Sequence, residues 1–157
     1  IMARIIERTE DVALDQIPPL KHSPATKAGA ITKAATEVGL TVGAKYLVAF
    51  TQSGDSARRM SRLRSPIPML ALTPEIGTYN RLALSWGVES LLTSTVNHTD
   101  EMVMQVDSIL IESKRVKIGD LVLIVAGSPP GIPGSINAMR VHKIGDAVSG
   151  VAAAYRK

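Results

Sequence analysis

Two stretches of this chain carry the residue types that could bind or transform a ligand. The first is Thr51-Gln52-Ser53-Gly54-Asp55-Ser56, which follows a short apolar run and precedes a helical pattern. A strand that turns directly into a helix leaves backbone N–H groups unpaired at the turn. Hydroxyls and a glycine there suit an anion such as a phosphate. Arg58 and Arg59 follow within one helical turn, and a guanidinium at that distance can reach a phosphate and grip it with two hydrogen bonds. The same residues also make an ordinary helix start, with Ser53 or Asp55 as the cap and the arginines on a solvated face. Both readings stand on these residues alone. The second stretch is residues 127–136, rich in Gly, Pro and Ser, with Ser128, Gly131, Pro133 and Gly134 as candidate contacts. It is long for a hairpin turn, which favours a binding loop over a plain connection.

The acid–base inventory is thin. His22, His98 and His142 are far apart and show no metal-ligand spacing, so each reads as a hydrogen-bonded or surface residue. There is no nucleophile elbow, no phosphate-loop lysine and no dinucleotide fingerprint. Acids such as Glu75, Asp100 and Glu101 sit at helix starts, where the dipole accounts for them. No catalytic residue and no metal site is expected within the chain. A free-standing phosphatase or nucleotide hydrolase is correspondingly disfavoured.

The elements that must hold the two loops follow from hydrophobic periodicity. Ile1, Met2, Ile5 and Ile6 form one face of an opening helix, and residues 11–25, with three prolines, read as a linker. From Thr26 onward, helix and strand alternate. Ala28, Ile31, Ala35 and Val38 mark a helix ending near Gly39, and residues 46–50 a buried strand. Ala57, Met60 and Leu63 mark the inner face of the next helix. Residues 68–72 form a second strand, and Thr73-Pro74-Glu75 starts a helix that runs to about Trp86. Residues 88–92 form a third strand. A helix opens at Thr99-Asp100-Glu101 with Met102, Val103, Val106 and Leu110 inward. Residues 120–126 form the fourth and most apolar strand, and residues 139–144 the fifth. This alternation predicts an α/β fold with a mainly parallel sheet and helices on both faces. The short link between the last two strands makes the fifth antiparallel. A strand order of 3-2-1-4-5 brings both loops to one crevice, at the point where the order reverses.

Composition bounds the rest. The chain has 157 residues, 45% apolar, no cysteine, five aromatics and a formal net charge of +4. That is enough for one core, and no apolar run reaches the length of a membrane span. Disulfide and thiolate chemistry are excluded, in keeping with a cytoplasmic protein. The scarcity of aromatics removes the stacking platforms of single-strand binders, so neither nucleic acid nor membrane is an expected partner.

The segments VAFTQSGDSARRMSRLRSPIPMLALTP, RLALSWGVESLL and KIGDLVLIVAGSPPGIPGSINAMRVHKIGD resemble the C-terminal domain of pyruvate kinase, particularly of actinobacterial type. The similarity runs from about Thr26 to Ile144, with Trp86-Gly87 and the GD…AG…G…N…V pattern at 119–141 as its most specific parts. The opening MARIIERTE resembles the final helix of that enzyme's catalytic barrel. The resemblance implies two units: residues 1–25 as the barrel's last helix plus linker, and residues 26–157 as a three-layer α/β/α domain. It implies a parent enzyme that moves a phosphoryl group from phosphoenolpyruvate to ADP, with magnesium and potassium as cofactors. The present chain, lacking the barrel, is expected to be inactive alone. It further implies a regulatory and subunit-interface domain, whose partners are its own barrel and the other subunits of a tetramer. The family's effector-phosphate loop matches Thr51, Gln52, Ser53, Gly54 and Ser56, and its covering loop matches residues 127–136. Enzymes regulated by fructose 1,6-bisphosphate often carry basic residues in the first loop and a tryptophan or arginine in the second. Here Gln52 and Asp55 stand in the first loop, and the second has no charge. Asp55 repels a second phosphate unless it caps the helix or meets an arginine. The effector expected is therefore a sugar monophosphate or AMP, and the alternative is a purely structural assembly domain.

Overall fold

A computed structural model describes residues 1–13, 16–18, 25–128 and 136–147. The elements are α1 (Met2–Ala13), α2 (Lys27–Val42), β1 (Tyr46–Phe50), α3 (Asp55–Ser61), β2 (Met69–Thr73), α4 (Ile76–Leu82), β3 (Val88–Leu92), α5 (Thr99–Glu112), β4 (Leu121–Gly127) and β5 (Ile136–Lys143). The strands form one sheet in the order β3-β2-β1-β4-β5. β1 pairs in parallel with β2 on one side and β4 on the other, β2 pairs in parallel with β3, and β5 runs antiparallel to β4. The predicted order and the reversed fifth strand are both found.

Leu47, Val48 and Ala49 are buried on both faces of β1, as a central parallel strand requires. Leu47 and Ala49 join Leu123, Val125, Met69 and Ala71 in one layer, closed by Ala35 of α2, Ala57 and Met60 of α3, and Leu82 of α4. Val48 points the other way. It packs with Leu70, Leu72, Val122 and Ile124 against Val106 and Leu110 of α5. Three helices thus lie over one face and α5 over the other, because the chain crosses back over the sheet between β3 and β4.

Several boundaries differ from the periodicity. α2 continues to Val42 and ends at Gly43, whose φ of 67° supplies the left-handed cap. Its buried stripe is Gly29, Thr32, Ala35, Thr36 and Gly39, while Ala28, Ile31 and Val38 are only partly covered. Small residues win this face because the helix lies close to the sheet. A Cβ on Gly39 would stand 2.9 Å from Leu47 Cδ2. The buried Thr32 and Thr36 hydroxyls donate to the carbonyls of Ala28 and Thr32, at 2.8 and 3.1 Å, so neither is left unpaired. α4 begins later and ends earlier than expected. Thr73 belongs to β2, its hydroxyl accepts the Glu75 N–H at 3.2 Å, and the chain turns out of the helix after Leu82. β5 starts at Ile136, three residues before the expected Met139.

α5 begins at the expected Thr99, with His98 as its N-cap residue. Glu101 closes the cap by accepting the Asn97 N–H at 2.8 Å and the His98 N–H at 3.4 Å. The Asn97 bond, foremost, holds the Glu101 carboxyl below its ordinary range. On the opposite, buried side of α5 sits Asp107. One of its oxygens lies 2.7 Å from His142 Nε2 on β5, and the other accepts the Gly145 and Ala147 N–H groups at 3.1 and 3.3 Å. Asp107 is 1% exposed and His142 2%. The pair joins α5, β5 and the turn that follows in one polar contact, surrounded by the second core layer.

Two expectations follow. Asp107→Ala leaves a buried imidazole and two backbone donors without an acceptor, and should cost about 3 kcal/mol in urea denaturation. For Glu101 the folded-state value is depressed, so its stabilisation is full above the ordinary carboxyl range and is lost as pH falls through the lower folded value. Glu101→Gln should therefore be less stable than wild type near neutrality. The gap should close as acid denaturation is approached, as read from thermal midpoints across pH.

Candidate functional site

The turn after β1 lies where the strand order reverses, between β1 and β4. β1 delivers it as a continuation of its ladder: Thr51 N–H still donates to Leu72 O at 3.0 Å. The Thr51 hydroxyl oxygen then accepts the Gly54 N–H at 2.8 Å and closes the turn. Gly54, at φ 83°, is the N-cap of the seven-residue α3, so neither Ser53 nor Asp55 is the cap. The Ser53 hydroxyl, on an exposed residue, is the acceptor of a long 3.4 Å contact from Asp55 N–H. Ser56 is 2% exposed and belongs to the buried side of α3.

The charges around the turn divide into two groups. Asp55 Oδ2 accepts from Arg59 Nε at 2.6 Å, so the acid meets an arginine one turn along its own helix. Arg58 is exposed, and its Nη1 comes within 3.5 Å of where a Cβ on Gly54 would stand. Two residues unmarked by the local sequence join the turn. Thr78 of α4 is buried, and its hydroxyl donates to Gln52 O at 2.5 Å. Arg81 Nη2 donates in turn to Thr78 Oγ1 at 2.9 Å. Thr78 and Arg81 lie more than twenty residues from the turn in sequence, and no spacing rule connects them to it. The structure thus gathers Thr51, Gln52, Ser53, Gly54, Arg58, Thr78 and Arg81 around one loop, with Asp55 and Arg59 paired beside them.

The second loop begins on the neighbouring strand. Ser128 N–H donates to Asn137 Oδ1 at 2.7 Å, and Asn137 Nδ2 donates to Ser128 O at 2.6 Å. The β4–β5 register shifts by one residue here, pairing Gly127 with Ile136 and Ala126 with Ala138, and Asn137 is the residue left over. Gly131, Pro133 and Gly134 lie outside the described residues, as does His22. Of the other histidines, His98 is the N-cap residue of α5 and His142 is buried against Asp107. Among the described residues no three His, Asp or Glu side chains converge as metal ligands, and no helix is long and apolar enough to cross a membrane.

A five-stranded sheet in this order, with an antiparallel edge and helices on both faces, defines a three-layer α/β/α domain with its loop site at the switch point. Residues 29–142 match the family model described as "Pyruvate kinase, alpha/beta domain". The chain belongs to the pyruvate kinase family, of which it carries the C-terminal α/β domain. It is 48% identical over 145 residues to a pyruvate kinase of Mycobacterium tuberculosis, covering 92% of this chain and 30% of that protein. A pyruvate kinase of Corynebacterium glutamicum is 41% identical over the same length and with the same coverage. Among solved structures, Cryptosporidium parvum pyruvate kinase in complex with ADP matches with a TM-score of 0.70 at 24% identity, over 78% of this chain and 25% of that one. The chain thus spans about 30% of the length of the curated relatives.

Gly54→Ala tests the turn itself. At φ 83° an added Cβ is strained, and it would stand 3.3 Å from both Leu82 Cδ2 and Thr78 Cγ2. The variant should lose about 1–2 kcal/mol in urea denaturation.

Proposed function

We propose that this chain is the regulatory and subunit-interface part of a pyruvate kinase, the enzyme that transfers a phosphoryl group from phosphoenolpyruvate to ADP. On this reading the chain does no chemistry alone. It binds a phosphorylated effector at residues 51–56 and acts on a catalytic barrel elsewhere in the parent protein. Magnesium and potassium serve that barrel, and the parent works as a tetramer in the cytoplasm. Family membership supports the parentage. The observation that carries the effector site is the meeting of hydroxyls with two arginines, Arg58 and Arg81, on a loop at the switch point.

The charge arrangement favours a single phosphoryl group. Thr51, its oxygen already accepting from Gly54 N–H, keeps its own proton to donate, and Ser53 is open to solvent. Arg58 lies at the loop without a carboxylate partner among the described residues. Arg59 is spent on Asp55, which offsets that acid but removes the cation that a second phosphate would need. A sugar monophosphate or AMP fits this balance better than fructose 1,6-bisphosphate. The competing reading, a turn closed only to cap α3 in a purely structural assembly domain, is favoured by the Thr51–Gly54 bond.

Titration decides between them. The chain, followed by calorimetry and thermal shift, should bind AMP, glucose 6-phosphate or ribose 5-phosphate more tightly than fructose 1,6-bisphosphate. Arg58→Ala should weaken that binding about tenfold by removing one charge-assisted contact. If all four compounds give neither heat nor a shift in midpoint, effector binding by this chain is wrong and the structural reading stands.

A further inference from the structure

The loop site leaves Trp86 unused, although it stands at a junction of three elements. Trp86 lies in the turn between α4 and β3, half-buried, and is the single tryptophan of the chain. Its backbone carbonyl accepts the hydroxyl of Ser61, in the last turn of α3, at 2.6 Å. The Arg64 guanidinium lies over its ring at 4.5 Å from the centroid. Arg64 takes this position from a left-handed backbone, φ 51°, an uncommon conformation for a residue with a side chain. The indole Nε1–H then donates to Glu10 Oε1, on α1, at 2.5 Å.

Trp86 thereby reaches α1. None of its residues is buried, and Ile1, Met2, Ile5 and Ile6 are all exposed. Within this chain the charge-assisted bond from Trp86 ties α1 to the α/β domain.

Trp86 is also the far end of a frame. α3 and α4 lie over the same face of the sheet. They are joined at the loop end through Thr78, whose hydroxyl donates to Gln52 O just ahead of α3. They are joined at the other end by Ser61 and Trp86. Both cross-links are side-chain hydroxyls donating to carbonyls, and both donors are on buried residues. A shift of α3 against α4 must stretch one or both bonds and so move Trp86. We propose that Trp86 is a latch: it fastens α1 to the α/β domain, and the α3–α4 frame sets where α1 is held. This device stands whether or not the loop binds a phosphate.

The test uses the absence of cysteine. Arg4→Cys on α1 and Lys33→Cys on α2, both exposed positions, accept nitroxide labels in the full chain without background. Pulsed electron-resonance distances should give one narrow distribution. Glu10→Ala, on an exposed helix where the α/β core does not depend on it, should broaden that distribution roughly twofold, as should Trp86→Phe, which keeps the ring but not the N–H donor. Ser61→Ala and Thr78→Val should shift or broaden it while Glu10 and Trp86 are intact. An unchanged distribution in Glu10→Ala overturns the latch. Unchanged distributions in both Ser61→Ala and Thr78→Val, with circular dichroism as in wild type, overturn its dependence on the frame.

Discussion

The structure depends on β1 being hydrogen-bonded on both edges and covered on both faces. A parallel strand in that position cannot return by a hairpin, so each neighbour is reached through a crossover helix. Two crossovers place α3 and α4 over one face, and the third must pass to the other face to reach β4. That reversal leaves the ends of β1 and β4 side by side with no helix between them. The candidate site residues gather there: the hydroxyl turn, the two arginines and the neck of the second loop. The location of the site is thus a consequence of chain topology, and the residues within it refine what it can hold.

Much of this was legible in the sequence. Continuous apolar runs marked the central strands, and a link too short for a helix gave the antiparallel edge. The turn at 51–56 stood out because its hydroxyls and glycine interrupt a strand-to-helix transition. What the sequence concealed has a common physical origin. In α2 the deepest positions are filled by Gly and Thr, since close approach to Leu47 outweighs apolarity and threonine can pair its hydroxyl within its own helix. In α5, Asp107 sits in the same stripe as Val103 and Leu110. A carboxyl at a core position was the available signal, and its partner His142 looked like any isolated histidine until β5 was placed. Thr78 and Arg81 belong to a neighbouring helix, so their part in the turn is a tertiary fact. Pro74 suits the first turn of a helix, but Thr73 completes β2 first and α4 begins at Ile76.

The polar contacts follow one pattern. The Thr51–Gly54, Ser61–Trp86 and Thr78–Gln52 bonds each tie a side-chain hydroxyl to a backbone group at an element's end. These bonds add to the packing of large aliphatic side chains such as Met60, Leu82 and Leu110. At α2 the close approach of Gly39 to Leu47 leaves no room for a larger side chain, whereas Met60, Leu82 and Leu110 on the other helices are fully buried.

The reciprocal pair between Ser128 and Asn137 has a consequence for how the sheet ends. The amide of Asn137 imitates the missing rung of the ladder, offering one acceptor and one donor where a backbone would. Strand registry is secured below that point by Ala126 opposite Ala138 and by the pair itself. The last rung of this edge therefore hangs on one side-chain amide rather than on the backbone alone. A side chain unable both to accept from the Ser128 N–H and to donate to its carbonyl would unfasten that rung and leave Ala126 opposite Ala138 in register. One asparagine thus acts as the selvedge of the sheet, finishing an edge that the main chain leaves open.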